Sequence, residues 1–447
     1  MPRRIKTLLA AGAAVGVLVS GGSAGAAGTG WEREADSEGK QAAPEASGMP
    51  VGIVKVGSRR FAVEANGDRI PIQTEAESLR QDATLVAEAE GMSVAEATEQ
   101  LELQDQLAPL GGKIRDLLGD RVVHVGIVYE PVYELEVRIA DGPRADDVET
   151  LAEESGLPVS VRYTSEPTEA GLVQARERFE PDWRTEFPAI VNVDVETEFS
   201  RYNFDLSDAS DKVRAQITEV VKRDVPRANV SFTEGAVTQD RASRGGLPLV
   251  LQANNAPECT SGFMATKNST GTKVLLTAGH CRENLAYRSY QSANITDLNF
   301  GEQANNARTD VQYHYTGGVG SPLFVAADRT SYRTVKGLEK RTDLNGARIC
   351  HQGMTTNYSC GNVTTITSKL DGCGANQALV CDPVWVVAKG PDLKCDRGDS
   401  GGPVFVNTRA AGLLAVSSFY QNGDCAAIGF ASRSYFDSQL DVTIMTE

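Results

Sequence analysis

The chain has 447 residues, with 44 Lys and Arg against 60 Asp and Glu, eight Cys, four His and 41% hydrophobic residues. At ~100–200 residues per domain this length exceeds one domain, and the apolar fraction suffices for packed cores, which excludes global disorder. A net charge of −16 argues against a nucleic-acid binder, which needs a basic surface to displace phosphate counterions.

Charge and cysteine are unevenly spread. Residues 1–240 hold 25 Lys and Arg and 43 Asp and Glu, a net −18, while residues 241–447 hold 19 and 17, a net +2. All eight Cys fall between Cys259 and Cys425. An acidic, cysteine-free half is joined to a nearly neutral, cysteine-rich half.

The basic start Arg3-Arg4-Ile5-Lys6 precedes the uncharged run Leu8–Val19 and the exit Ala24-Gly25-Ala26. This order predicts a cleavable signal peptide over residues 1–26; the run is too short and too rich in small residues for a transmembrane anchor. The mature protein is then secreted and soluble, without a membrane span, in a compartment where disulfides persist. Residues 27–74 read as a lead-in, with a flexible composition of Gly, Ala, Ser and Glu over 27–50.

Residues 75–240 read as an α+β module. Leu79, Val86, Ala89, Val94, Ala97, Leu101, Leu107, Ile114 and Leu118 recur at near-helical spacing, with breaks expected at Gly91 and at Pro109-Leu110-Gly111-Gly112. Two segments then repeat one order of elements. The first runs strand Arg121–Tyr129, turn Glu130-Pro131, strand Val132–Ile139, helix Arg144–Ser155, strand Pro158–Tyr163. The second runs strand Ala189–Val195, strand Tyr202–Leu206, helix Asp208–Arg223, strand Asn229–Phe232. Two β-β-α-β units imply helices packed on small antiparallel sheets. His124 is the one His of this half and reads as packed or solvated; Asp146-Asp147 and Glu153-Glu154 read as solvated helix faces. Nothing here is equipped for chemistry, so this half reads as a helper.

Residues 241–447 are punctuated by Gly, Ser, Thr and Asn between short β-prone runs: Leu247–Leu251, Lys273–Leu276, Val311–Tyr315, Gly361–Thr367, Val384–Ala388, Val404–Val406 and Leu413–Phe419. A helical period returns only at Ser434–Leu440. The pattern predicts an all-β barrel or sandwich.

Two motifs here carry chemistry: Thr277-Ala278-Gly279-His280-Cys281, after Val274-Leu275-Leu276, and Gly398-Asp399-Ser400-Gly401-Gly402-Pro403, leading into Val404-Phe405-Val406. With these, the half from about residue 245 onward resembles the serine endopeptidases of the chymotrypsin family. It is similar in particular to the secreted bacterial branch, streptogrisins and α-lytic proteases, made with an N-terminal pro-region. The acidic half resembles that pro-region more loosely.

The residues support the same chemistry. A Ser hydroxyl is a weak nucleophile and needs a base within hydrogen-bond reach, a role suited to His; a buried carboxylate fixes the imidazole tautomer. His280 and Ser400 fill the first two roles. Asp310, lying between them and opening a β-prone run, is the choice for the third, with Asp297 and Asp328 as rivals. The resemblance makes the backbone N–H groups of Gly398 and Ser400 an oxyanion hole. It also buries Asp399 against a new N-terminal amine or another internal donor.

Chain order separates rival hydrolases. Gly398-x-Ser400-x-Gly402 fits a nucleophile elbow, but that fold orders its triad Ser, acid, His, and the last His here is His351. A subtilisin-like reading needs an acid before His280 and a helix-rich parallel sheet. A cysteine peptidase of Cys281 and His351 conflicts with an even set of exported Cys. By resemblance the bridges are Cys259–Cys281, Cys350–Cys360, Cys373–Cys381 and Cys395–Cys425. His314 and His351 show no ligand spacing with Cys and read as surface or packing residues; no metal or other cofactor is expected.

By the same resemblance, specificity residues would come from 392–397 and 416–430. The pocket floor is open among Lys394, Cys395 and Asp396; Ser417 falls on the substrate-pairing strand; Phe419 either shortens the pocket or packs on the barrel. Trypsin-like preference is not supported. The reading is therefore an all-β, chymotrypsin-like double antiparallel barrel over residues 241–447, preceded by an α+β pro-region over 75–240. It acts as a secreted serine endopeptidase on proteins or peptides, monomeric when mature. The pro-region assists folding in cis, inhibits, and is removed between about residues 235 and 246. The rival reading is a secreted binding protein on an inactive protease scaffold.

Overall fold

The computed structural model describes residues 52–63, 69–206, 210–233, 246–288, 295–318, 320–326, 331–370, 381–420 and 422–447. The signal peptide expected over 1–26, residues 235–245 of the stretch expected to hold the junction, Asp328 and Cys373 lie outside the described residues.

Residues 27–74 were expected to be a linker, but Gly52–Val56, Arg59–Val63 and Arg69–Pro71 form an antiparallel meander. Its Ala62, Ile70 and Ile72 are buried in one cluster with Val325 and Tyr332 of the barrel half, and Gln73 N donates to Tyr332 O at 2.8 Å. Burial of these few apolar side chains against a partner far along the chain is invisible in local composition.

Two capping boxes build the helical hairpin that follows. Thr74 Oγ1 accepts from Glu77 N while the Glu77 carboxylate accepts from Thr74 N, opening α1, Glu75–Glu90. Ser93 and Glu96 repeat the device for α2, Val94–Leu118, and Gly91 between them takes a φ of +68°. The break expected at Pro109–Gly112 does not occur: α2 runs through it. The glycines instead serve close approach, since a Cβ on Gly112 would lie 2.0 Å from Asp343 Oδ1.

Both β-β-α-β units form. The first has strands Val122–Val128, Glu134–Ala140 and Val159–Thr164 with α3, Asp146–Ser155, before the last. The second has strands Ile190–Glu196, Arg201–Leu206 and Asn229–Thr233, with α5, Asp211–Asp224, placed likewise. The sheets are mixed, not antiparallel as expected, because each helical crossover returns its strand parallel to the second. Between the units runs α4, Glu169–Glu186, which the apolar pattern did not reveal: Pro181 and a charge-rich face mask it, and Thr168 capping Gly171 N was the available signal.

The C-terminal half closes two six-stranded antiparallel rings. In the first, the bent segments 257–267 and 295–305 each span two sheets. The ring runs Pro248–Leu251, 257–267, Lys273–Thr277, Asp310–Tyr315, 295–305, Leu285–Arg288 and back. In the second, Arg348–Gly353, Asn357–Ser368, Trp385–Lys389, Cys425–Ser432, Arg409–Phe419 and Pro403–Val406 close on one another. Closure removes the free sheet edges.

The acidic half packs on the second barrel and on the hairpin Leu323–Ala326/Ser331–Thr334. Gln104 of α2 pairs with both backbone groups of Arg348, at 2.7 and 3.1 Å. Ile127 N donates to Asn345 O, Tyr129 Oη to Gly346 O, and Ser368 Oγ to Asp194.

His314 is wholly buried on Asp310–Tyr315, edge-on to Phe300, and burial lowers its pKa to about 4. Unfolded His titrates near 6.5, so between these values the unfolded chain binds the extra proton and stability falls as pH falls. The wild type should lose roughly 3 kcal/mol more than His314→Leu between pH 6.5 and 4, read from denaturant midpoints. Equal losses would contradict a buried neutral ring.

Candidate active site

The first barrel presents the His motif as the turn that ends Lys273–Thr277. Thr277 Oγ1 donates to Thr260 O at 2.5 Å, and the Cys259–Cys281 bridge ties the turn to the neighbouring strand. Asp310 opens the adjacent strand, whose register sets Thr277 opposite Gln312. His280 Nδ1 lies 2.5 Å from Asp310 Oδ2, with Asp310 buried and His280 partly open. A carboxylate there orients the ring and leaves Nε2 as the nitrogen turned away from Asp310. Gly279 permits the contact: a Cβ there would lie 2.8 Å from Val311 N and 3.0 Å from Asp310 Oδ1. Of the rival acids, Asp297 lies on Ile295–Asp297, opposite Ala286.

Ser400 comes from the second barrel but is clamped to the first. Its carbonyl accepts from Thr260 N at 3.2 Å, and Thr260 Oγ1 donates to Gly398 O at 3.0 Å. Gly398 has a φ of +118° and Gly401 one of +84°, both in the region that favours glycine. A Cβ on Gly401 would lie 2.2 Å from Thr277 Oγ1 and 2.7 Å from Ala278 N. The Ser400 loop thus rests directly on the residues that precede His280.

Asp399 is fully buried, and the hairpin Arg348–Gly353/Asn357–Ser368 supplies most of its donors. Thr355 N, at 3.0 Å, and Thr356 N, at 3.2 Å, reach Oδ1; Thr356 Oγ1, at 2.6 Å, and Asp396 N, at 2.9 Å, reach Oδ2. Of the alternatives the sequence left open, an internal donor set is present in the full chain. Thr355 and Thr356 were missed because their partner is 43 residues or more away; the Cys pair that flanks them was the signal. That bridge, Cys350–Cys360, joins directly opposed residues of the hairpin. Cys395–Cys425 links the segment before Ser400 to the last barrel strand.

Lys394 has an exposed side chain, while its backbone is fixed by Ser359 Oγ at 2.9 Å and by His351 Nε2 at 2.7 Å. His351 is buried, and burial lowers its pKa against the opposing pull of Asp399. Ser417 is buried on Arg409–Phe419, opposite Ile428. Phe419 is half-buried against the second-barrel core beside Cys425. His124 is buried with Nδ1 3.0 Å from Thr197 Oγ1. Among the described residues no three His, Cys, Asp or Glu converge on a metal-sized site.

No protein-family model matches the chain. An uncharacterized protein of Mycobacterium tuberculosis strain H37Rv is 24% identical over 184 residues, spanning 39% of this chain and 74% of that protein. Among solved structures, a glutamic acid-specific serine protease is 19% identical, covering 45% of this chain and 99% of its own, with a TM-score of 0.37. The Nocardiopsis protease NAPase is 20% identical, covering 45% and 98%, with a TM-score of 0.35. Thermobifida fusca Protease A is 20% identical, covering 46% and 98%, also at 0.35. What settles the architecture is the strand order itself, two closed antiparallel six-stranded rings in series. The C-terminal half has the chymotrypsin-like fold.

The two motif loops meet at the seam between barrels, and Gly401 is one of its tight points. Gly401→Ala should cost more than about 2 kcal/mol, from the left-handed φ and the backbone overlap together. Thermal unfolding beside wild type measures this. An unchanged transition would show that the seam tolerates a side chain.

Proposed function

We propose that the chain is a secreted serine endopeptidase made as a zymogen, with Ser400 as nucleophile, His280 as general base and Asp310 as the group that orients the imidazole. The observation that carries this reading is the 2.5 Å contact of His280 Nδ1 with Asp310 Oδ2, on a turn against which Gly401, the neighbour of Ser400, packs.

His280 Nε2 takes the Ser400 hydroxyl proton as Oγ attacks the scissile carbonyl. The developing oxyanion is met by the N–H groups of Gly398 and Ser400, and the leaving amine recovers the proton from the imidazolium. Water then attacks the acyl-enzyme by the same proton path and releases Ser400. Lys394, Ser417 and Phe419 stand near the pocket in this reading, and substrates are proteins or peptides.

The acidic half acts in cis as a pro-region. It packs on the second barrel through buried contacts, and long-range strand pairing makes such a barrel slow to fold unaided, which gives a bound template a purpose. Cleavage before Gly246 would release it.

Fluorophosphonate labelling and N-terminal sequencing of secreted wild type beside Ser400→Ala test the reading. Wild type should label and start near residues 236–247, while Ser400→Ala stays unlabelled and at full length. Labelling that persists in Ser400→Ala, or is absent from processed wild type, would sink it and favour an inactive binding scaffold. Asp310→Asn should lower kcat by on the order of 10⁴ with KM little changed.

A further inference from the structure

Arg333 is wholly buried at the end of the hairpin between the barrels. Its guanidinium lies 5.5 Å from the Tyr358 ring centroid and 5.4 Å from that of Phe405. From the barrel half, Asn407 O accepts from it at 3.1 Å and the Tyr358 hydroxyl lies beside it. Its other acceptors belong to the acidic half: Gln73 Oε1 at 2.9 Å, Ser78 O at 3.3 Å, and both oxygens of Asp82, at 2.6 and 3.0 Å. The Tyr358 hydroxyl donates to Asp82 Oδ1 as well. Burial keeps that phenol protonated and so a donor. Asp82 is itself buried, and α1 delivers it into a recess built from three separate strands of the barrel half.

A guanidinium this deep costs several kcal/mol if its counter-charge is removed. Among the described residues the carboxylate that pairs with it is Asp82, and the barrel half offers no other. The recess matches a carboxylate in three ways. The guanidinium fork takes both oxygens, the phenol adds a third donor, and the flanking aromatic faces exclude water. A phosphate would bring more than one negative charge to a single cation.

We propose that Arg333, Tyr358 and Phe405 form a carboxylate-binding pit of the barrel half, filled by Asp82 in the full chain and open to the Asp side chain of an acidic peptide once the acidic half leaves. The pit stands on its own geometry; its opening rests on the reading of the acidic half as removable. The mature protein would thereby carry an anchoring point for acidic protein segments, on a face built from the inter-barrel hairpin and the second barrel.

Chemical rescue in the full chain tests the pit. Asp82→Ala should melt several degrees below wild type, and acetate should recover part of the loss, with chloride and phosphate at matched ionic strength without effect. Acetate should do nothing for wild type or for Asp82→Ala combined with Arg333→Met. If Asp82→Ala is recovered only as aggregate, refolding yield with and without acetate is the readout. Acetate acting equally on wild type and variant, phosphate acting as well as acetate, or no rescue by either readout would overturn the proposal. For the opened pit, a peptide of residues 73–92 is titrated into processed wild type. Asn in place of Asp82 in the peptide should weaken binding by about tenfold or more, and equal binding of the two peptides would overturn the peptide role. A wild type that is never processed would instead refute the pro-region reading, while acetate rescue still decides the pit.

Discussion

The Ser400 loop of one barrel is welded to the other, and the geometry of the whole candidate site follows from that seam. Ser400 belongs by sequence to the second ring, yet its carbonyl is bound by Thr260 of the first, and Thr260 also holds Gly398. Thr260 in turn accepts from Thr277, three residues before His280. A single strand position therefore fixes both motif loops relative to each other. Gly401 lets them touch, since any Cβ would intrude on backbone of the facing loop. The Cys259–Cys281 bridge flanks the same position and holds the His turn from its other end.

The second support lies behind Ser400. Asp399 turns inward and is held chiefly by Thr355 and Thr356 at the tip of a disulfide-clasped hairpin. The acidic half grips the same hairpin along its length: Gln104 and Glu90 hold Arg348 at the root, and Asp82 holds Tyr358 beside the tip. One two-stranded element thus carries both the contact to the loop before Ser400 and the grip of the acidic half.

The charge contrast between halves acquires a structural meaning. Glu75, Asp82, Glu90, Asp105, Glu177 and Glu196 pair with Lys336, Arg333, Arg348, Arg409, Lys369 and Lys389 of the barrel half. Arg60 with Glu447 runs the other way. Exposed pairs contribute little, typically ~0–1 kcal/mol each, so they set orientation more than strength. The buried Asp82–Arg333 pair and the apolar cluster around Ile70, Ile72 and Tyr332 carry the specific fit.

Much was legible before any coordinates. Local rules sufficed for the helical spacing and the break at Gly91, both β-β-α-β units, the all-β half, and the two motifs, whose chemistry requires particular residue types close together along the chain. They failed where a local signal had a distant purpose. Gly111 and Gly112 read as a helix break but serve close packing, Pro181 hid α4, and the meander at 52–71 looked like a linker because its partners lie more than 250 residues away. The apolar alternation along each strand is a property of neighbours and is written in the sequence. The closure of each ring, the parallel third strand of each unit, the contact of His280 with Asp310, and the burial of Arg333 around Asp82 depend on which distant surfaces meet. Those choices are made by packing, and a one-dimensional pattern does not contain them.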